Sequence, residues 1–275
     1  MSSLRRCVRQ AIRHCAIAFG YPIARVVAGR PPKRITAMMR VRNEVEFLEK
    51  SINSIIDHVD DMVVVDNCSD DGSTAVIANF VRRFPVKIQA FRYPHRIARY
   101  GEETLRLAST KEGKRSPSFL PNYYNWCVAK CSGPYILKWD GDTVATDALA
   151  TTIERFRRST KQILWHTGVN LHSDRISYIA GRPFEWMEPR LFFKRLSSYR
   201  VNYPAYVESL RSPYSYLYPS FSEREPEPLY FHMKFCKRDR FSNMSCDLQF
   251  KEEAISDRGE PLPKYLRDQV ISLGL

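Results

Sequence analysis

Two aspartates separated by one glycine stand at the end of an apolar run in Ile136–Val144, ILKWDGDTV, in a chain with 43 Lys+Arg against 30 Asp+Glu. Spaced i and i+2, Asp140 and Asp142 can direct their carboxylates toward one point, while Gly141 lets backbone come close. Oxygen donors in that arrangement suit a divalent cation, manganese or magnesium, which keeps room for substrate phosphate oxygens. The same tripeptide also occurs as an ordinary turn, so its place in the fold must decide.

Two further positions carry similar ambiguity. Asp66 closes the apolar run of DMVVVD, where a carboxylate can accept hydrogen bonds from a nucleobase or ribose, or simply cap a turn. Arg40 and Arg42, at the end of the first apolar run, can meet a phosphate or stack on a base.

The surrounding pattern says what positions these groups. Arg34–Glu44 is a short apolar run with a polar end, and Val45–Val59 has apolar residues at helical spacing, which predicts strand, loop, helix. Asp61–Thr74 predicts a buried parallel strand with a polar carboxyl end, and Ala75–Phe84 a helix capped by Ser73 or Thr74. Val86–Tyr93 supplies a third strand. Two successive β-α-β crossovers imply an α/β fold with a doubly wound, mostly parallel sheet, in which ligands sit beyond the carboxyl ends of the strands. Residues 94–121 lack periodicity and read as a long connection. A helix over Pro121–Cys131, a strand over Tyr135–Asp142, a helix over Asp147–Arg158 and strands within Ile163–His172 and Trp186–Arg195 follow. Beyond about 200 the chain is rich in Tyr, Pro, Ser and Arg and reads as irregular, with Leu229–Phe235 strand-like inside it.

Composition bounds the class. The 275 residues are 44% hydrophobic and 27% charged, as in globular proteins, and carry a net charge of +13 that attracts polyanions. Seven scattered cysteines without a CxxC pair point to reduced thiols in a cytoplasm. At the N-terminus, Leu4, Val8, Ile12 and Cys15 recur at helical spacing among Arg5, Arg6, Arg9 and Arg13, the pattern of a basic amphipathic helix suited to an anionic membrane face, or of a helix packed on the domain. The apolar run Cys15–Ile23 is too short to span a bilayer. The expected organisation is a basic segment 1–33, a doubly wound half 34–145, and a less regular half 146–275.

Met38–Glu44 followed by a helix, then VVVDNCSDDGST, a helix and YILKWDGD resemble the nucleotide-binding half of family 2 glycosyltransferases with the A-type fold. The resemblance spans about residues 34–145. It implies a nucleoside-diphosphate sugar donor held by Arg40, Arg42, Asn43, Glu44, Asp66, Asp140, Gly141 and Asp142. Within that set Asp66 would contact the base, Asp140 would lie at the ribose or metal, and Asp142 would ligate a manganese or magnesium ion. Glu188–Phe193, EPRLFF, is similar to the acceptor-side segment whose carboxylate is the general base. Beside Trp186 and Met187 the Glu188 carboxylate would be partly desolvated, which favours proton uptake. An ion pair with Arg190 or Lys194 is the alternative for Glu188, and Glu185 is the competing base. His232 is placed to reach the metal, as a late histidine does in other A-type glycosyltransferases, or to be a satisfied core residue. Lys234 and Lys237 would neutralise a leaving diphosphate or form a solvated basic face.

The resemblance implies inverting, metal-dependent transfer to a glycan or lipid-linked acceptor, in cell-surface polysaccharide or lipopolysaccharide assembly at the cytoplasmic face of the inner membrane. A nucleotidyltransferase shares the sheet and carboxylates but has a glycine-rich first loop that AMMRVRNE lacks. A non-catalytic glycan-binding module is a further rival, and a nucleic-acid-binding protein is disfavoured because no recognition motif accompanies the dispersed basic residues. Tyr203–Tyr218, rich in aromatic rings, would line the acceptor cleft or form a surface loop.

Overall fold

A computed structural model describes residues 32–202, 207–216, 220–238 and 258–275. The N-terminal amphipathic pattern and parts of the aromatic stretch, 203–206 and 217–219, lie outside the described residues. Among the described residues no helix is long and apolar enough to cross a membrane.

The central element is a seven-stranded sheet. It contains β1 (Ile35–Val41), β2 (Asp61–Asp66), β3 (Ile88–Arg92), β4 (Tyr135–Asp140), β6 (Ile163–His166), β9 (Glu188–Phe193) and β12 (Ser222–Arg224), in the order β12-β6-β9-β4-β1-β2-β3. The pairs among β3, β2, β1 and β4 are parallel, as is β12 with β6, whereas β9 runs antiparallel to both β4 and β6. The sheet is thus mostly parallel, as the alternating strand and helix patterns predict. It draws strands from both halves of the chain.

Helices cover both faces because the strand side chains alternate. Ile35, Ala37, Met39 and Val41 of β1 face one core with Leu48, Ile52 and Ile55 of α1 (Leu48–Ile55), Ile77 and Phe80 of α2 (Ser73–Arg83), and Ile153 and Phe156 of a later helix (Ala148–Arg158). Met38, Val63, Val65, Ile136 and Phe192 face the opposite core with Tyr123, Tyr124 and Cys127 of the helix Leu120–Lys130. Each large apolar side chain fully buried this way contributes about 1.5–3 kcal/mol.

A smaller layer flanks the carboxyl end of β4. It consists of β5 (Thr143–Ala145), β13 (Tyr230–His232) and β7 (Val169–Asn170), with β13 antiparallel to β5 and parallel to β7. The pairing of His232 with Thr143 fixes His232 beside the Asp-Gly-Asp turn. A hairpin, β10 (Ser198–Asn202) and β11 (Val207–Arg211), covers the Tyr124 face. The long connection 94–121 contains two short helices, Glu102–Ala108 and Lys111–Arg115, and the C-terminal segment ends in a helix over Lys264–Ser272.

His166 at the end of β6 is fully buried, and burial, reinforced by Arg190, pushes its imidazole down to about 3 from 6.5. Between these values the unfolded chain binds the proton and the native one does not, so stability falls as pH falls through that window. Urea denaturation is expected to show a loss of about 2 kcal/mol from this residue between pH 7.5 and pH 5. His166→Phe should abolish that component, and an equal loss in the variant would refute the assignment.

Candidate active site

The register of β1 on β4 sets Arg40 opposite Asp140, and β4 lies against β9, which carries Glu188 and Arg190. Because side chains alternate along a strand, Arg40, Lys138, Asp140, Glu188 and Arg190 all project to the Tyr124 face. Asp140 accepts from Arg40 on one carboxylate oxygen and from Arg190 Nη1 on the other at 3.0 Å. Arg40 also stacks on the Tyr124 ring, its guanidinium carbon 3.9 Å from the centroid. Arg40 is therefore held by protein on its face and its edge. Burial raises the Asp140 carboxyl to about 6, with Arg190 pulling it down and Asp142 pushing it further up.

Lys138, 5% exposed within an apolar strand, donates to Glu188 Oε2 at 2.8 Å and to Glu208 Oε1 at 3.0 Å. Glu208 comes from β11, and Tyr100 Oη donates to its other oxygen at 3.2 Å. Arg190 Nε lies 3.4 Å from Glu188 Oε2. Three cations and three carboxylates alternate here, so each charge that loses water gains an opposite neighbour. Glu188 takes the ion pair with Arg190, while Lys194 turns away to donate to the Cys131 carbonyl at 2.6 Å. The expected apolar shelter from Trp186 is absent, since that ring is 78% exposed.

Asp142 points into a second network. Lys237 Nζ donates to its Oδ2 at 2.8 Å and reaches both Glu44 oxygens at 2.9 and 3.0 Å. Its Oδ1 faces His232 Nε2 at 3.5 Å, while His232 Nδ1 bonds Glu185 Oε1 at 2.8 Å. Burial favours the neutral acid, but Lys237 and His232 outweigh it and hold Asp142 well below the ordinary carboxylate range. Burial likewise disfavours the charged imidazole, but Asp142 and Glu185 lift His232 to about 9. Glu185, similarly opposed by burial, is lowered to about 2 chiefly by His232. His232 thus contacts the site, and Glu185 is committed to it.

Backbone bonds hold the loops that carry these groups. Met233 N–H donates to Asp142 O at 2.8 Å, and Ser51 Oγ to Asp140 O at 3.0 Å. Gly141 is required by close approach, because a Cβ there would lie 2.8 Å from Glu44 Cγ, a side chain that Lys237 holds in place. Glu44 N–H donates to Ser73 Oγ at 2.8 Å, and Asn43, in the left-handed region at φ 55°, donates its Nδ2 to Asp70 Oδ1 and accepts on Oδ1 from the Asp70 backbone N–H. Asp66 accepts from Ser69 N–H at 3.0 Å and Thr74 Oγ1 at 2.7 Å, the turn-capping alternative. Ser73 and Thr74 are engaged elsewhere and do not cap α2. Asp71 accepts from Ser73 N–H at 2.9 Å instead, beside Gly72 at φ 100°. Arg42 adjoins this loop, half-buried.

The donor set suits a divalent cation at one of the two aspartates. Among the described residues no three His, Cys, Asp or Glu side chains form a preassembled metal cage. Both Asp140 oxygens are taken by guanidinium groups, which argues against Asp140 as a ligand. Asp142 Oδ1 and His232 Nε2 face one another, with a carboxylate behind the imidazole, and manganese or magnesium sites commonly take one or two protein carboxylates and complete their shell with phosphate and water. Lys138, Arg190 and Glu208 were not among the sequence candidates. A lysine at an inward position of the apolar strand YILKWD is a signal that could have found Lys138, whereas nothing local marks Glu208 as its partner.

Lys237 separates two carboxylates that are each about one-tenth exposed. In the metal-free protein, Lys237→Ala is expected to cost about 3–5 kcal/mol in urea denaturation, because Glu44 and Asp142 then lose the ammonium that lies between them. A loss below about 1 kcal/mol would contradict this pairing.

A sequence profile for a glycosyltransferase family, described as beta-1,4-N-acetylgalactosaminyltransferase (CgtA), matches residues 25–140, less than half of the chain. No curated protein matches the chain. Two crystal structures of S. aureus TarS are similar in shape. The first, at 12% identity and TM-score 0.46, is matched over 86% of this chain and 42% of that chain. The second, of TarS 1-349, is at 13% identity and TM-score 0.42, over 87% of this chain and 70% of that chain. The chain thus spans 42% of the length of the first of these. The profile thus covers Met38–Glu44, Asp61–Thr74 and Tyr135–Asp140 and ends before Gly141 and Asp142.

Proposed function

We propose that the chain is a glycosyltransferase that moves a sugar from a nucleoside-diphosphate sugar to a hydroxyl of a glycan or lipid-linked acceptor, with inversion at the anomeric carbon. The observation that carries this reading is Asp142. It is a buried carboxylate at the carboxyl edge of a parallel sheet, facing His232, immediately after a segment matched to a glycosyltransferase family.

A divalent cation, manganese or magnesium, held by Asp142 and His232 would offset the charge of the donor diphosphate. Lys237 adds a fixed ammonium next to the same carboxylate, and Arg40 and Arg190 hold Asp140 rigid at the ribose side. Arg42, Asn43, Glu44 and Gly141 shape the donor floor, with Asp66 fixing the loop at its base end. Glu188 is the general base. Its carboxylate is 33% exposed, against 20% or less for Glu185, Asp142, Glu44 and Glu208. It takes the proton of the acceptor hydroxyl as that oxygen bonds to the anomeric carbon and the carbon–diphosphate bond breaks, its electron pair leaving with the diphosphate. One displacement inverts the centre.

A thermal-shift screen of nucleoside diphosphates and their sugars, with and without manganese, tests this reading. One base should stabilise the protein only with manganese, and Asp142→Ala should lose that shift. Glu188→Gln should keep the shift and lose transfer about 10²–10⁴-fold. No shift with any nucleotide would overturn it.

The charge of +13 and the basic N-terminal pattern fit peripheral contact with an anionic membrane at its cytoplasmic face. The full chain should co-sediment with vesicles containing anionic lipid more strongly than a chain lacking residues 1–30. Equal binding would count against the contact.

A further inference from the structure

The Glu185 carboxylate is directed at an imidazole, that of His232. The Glu185 backbone is pinned on both sides: its N–H donates to Gly168 O at 2.8 Å, and its carbonyl accepts from Thr167 Oγ1 at 2.6 Å. That places Oε1 2.8 Å from His232 Nδ1, while the opposite ring nitrogen faces Asp142 Oδ1 at 3.5 Å. His232 itself cannot slide, since β13 is paired on both edges. Carboxylate, imidazole and carboxylate thus form a fixed row.

We infer that Glu185 is a positioning residue for divalent-cation binding: by accepting from Nδ1–H it leaves Nε2 as the nitrogen that faces the cation beside Asp142. The inference rests on the cation reading of the site proposed above. Ligating histidines commonly donate their second N–H to a carboxylate, which fixes the tautomer and ring orientation, and loss of such a partner typically weakens metal binding 10–100-fold. This role also sets Glu185 apart from the base: its Oε1 is held by His232, whereas Glu188, three residues on, pairs through Oε2 with Lys138 and Arg190 and is the more exposed of the two.

The test titrates manganese(II) chloride into the full chain, reading free ion by electron paramagnetic resonance and the bound imidazole by ¹⁴N spin-echo modulation. Wild type should bind manganese with ¹⁴N modulation, His232→Ala should lose the modulation, and Asp142→Ala should bind weakly. Glu185→Ala should bind about 10–100-fold more weakly with the modulation reduced, and Glu185→Gln, whose amide oxygen still accepts from Nδ1–H, should recover to within about threefold of wild type. If Glu185→Ala melts early, Glu185→Gln against Glu185→Leu makes the same comparison. Wild-type affinity and modulation in Glu185→Ala or Glu185→Leu would overturn the positioning role while leaving the cation site standing. Equal binding by wild type, Asp142→Ala and His232→Ala would overturn the cation reading and this inference together.

Discussion

The site depends on one constraint: a carboxylate that loses water at a sheet edge must gain a cation. Asp140 and Asp142 are two residues apart yet meet this requirement in different directions. Asp140 is drawn into the sheet face by Arg40 and Arg190, both delivered by strand register. Asp142, one residue past Gly141, is turned toward β13 and Lys237. The glycine between them permits the divergence, because any side chain there would strike Glu44.

This division gives the two aspartates different work. Asp140 is part of a neutral lattice that extends through Glu188 and Lys138 to Glu208, joining three strands of the sheet to the β10–β11 hairpin. Such a lattice fixes geometry, since no member can move without stranding a charge. Asp142 has softer partners. An ammonium on a flexible stem and an imidazole can yield to an incoming cation or phosphate more readily than two guanidinium groups can. In the proposed mechanism the rigid half holds the base, and the adaptable half faces the donor.

Much of this was legible in the sequence because it rests on local pattern. The four parallel strands, their helices and the aspartates at their carboxyl ends follow from apolar period and turn chemistry, and His232 was identifiable as strand-placed, its place beside the turn being set by the pairing of β13 with β5. What escaped was non-local. Glu208 sits on a hairpin in a stretch whose Tyr and Pro content suggested irregular structure, and its partnership with Lys138 spans 70 residues. The helix over Lys264–Ser272 was missed although Leu266 and Val270 show helical spacing, because nothing nearby announced the core it covers. Arg190 appeared only as an alternative partner for Glu188. Its bond to Asp140 depends on β9 running antiparallel to β4, which strand patterns alone do not specify. The shelter expected for Glu188 from Trp186 failed for the same reason: adjacency in sequence did not fix the direction of the ring.

The central claim is that the two aspartates are not equivalent. An anomalous difference map at the manganese edge, from crystals grown with manganese and a nucleoside diphosphate, tests it most directly. The account predicts a single peak beside Asp142 and His232, with Asp140 still bound by Arg40 and Arg190. A peak bridging Asp140 with Arg190 displaced, or lying away from His232, would contradict it.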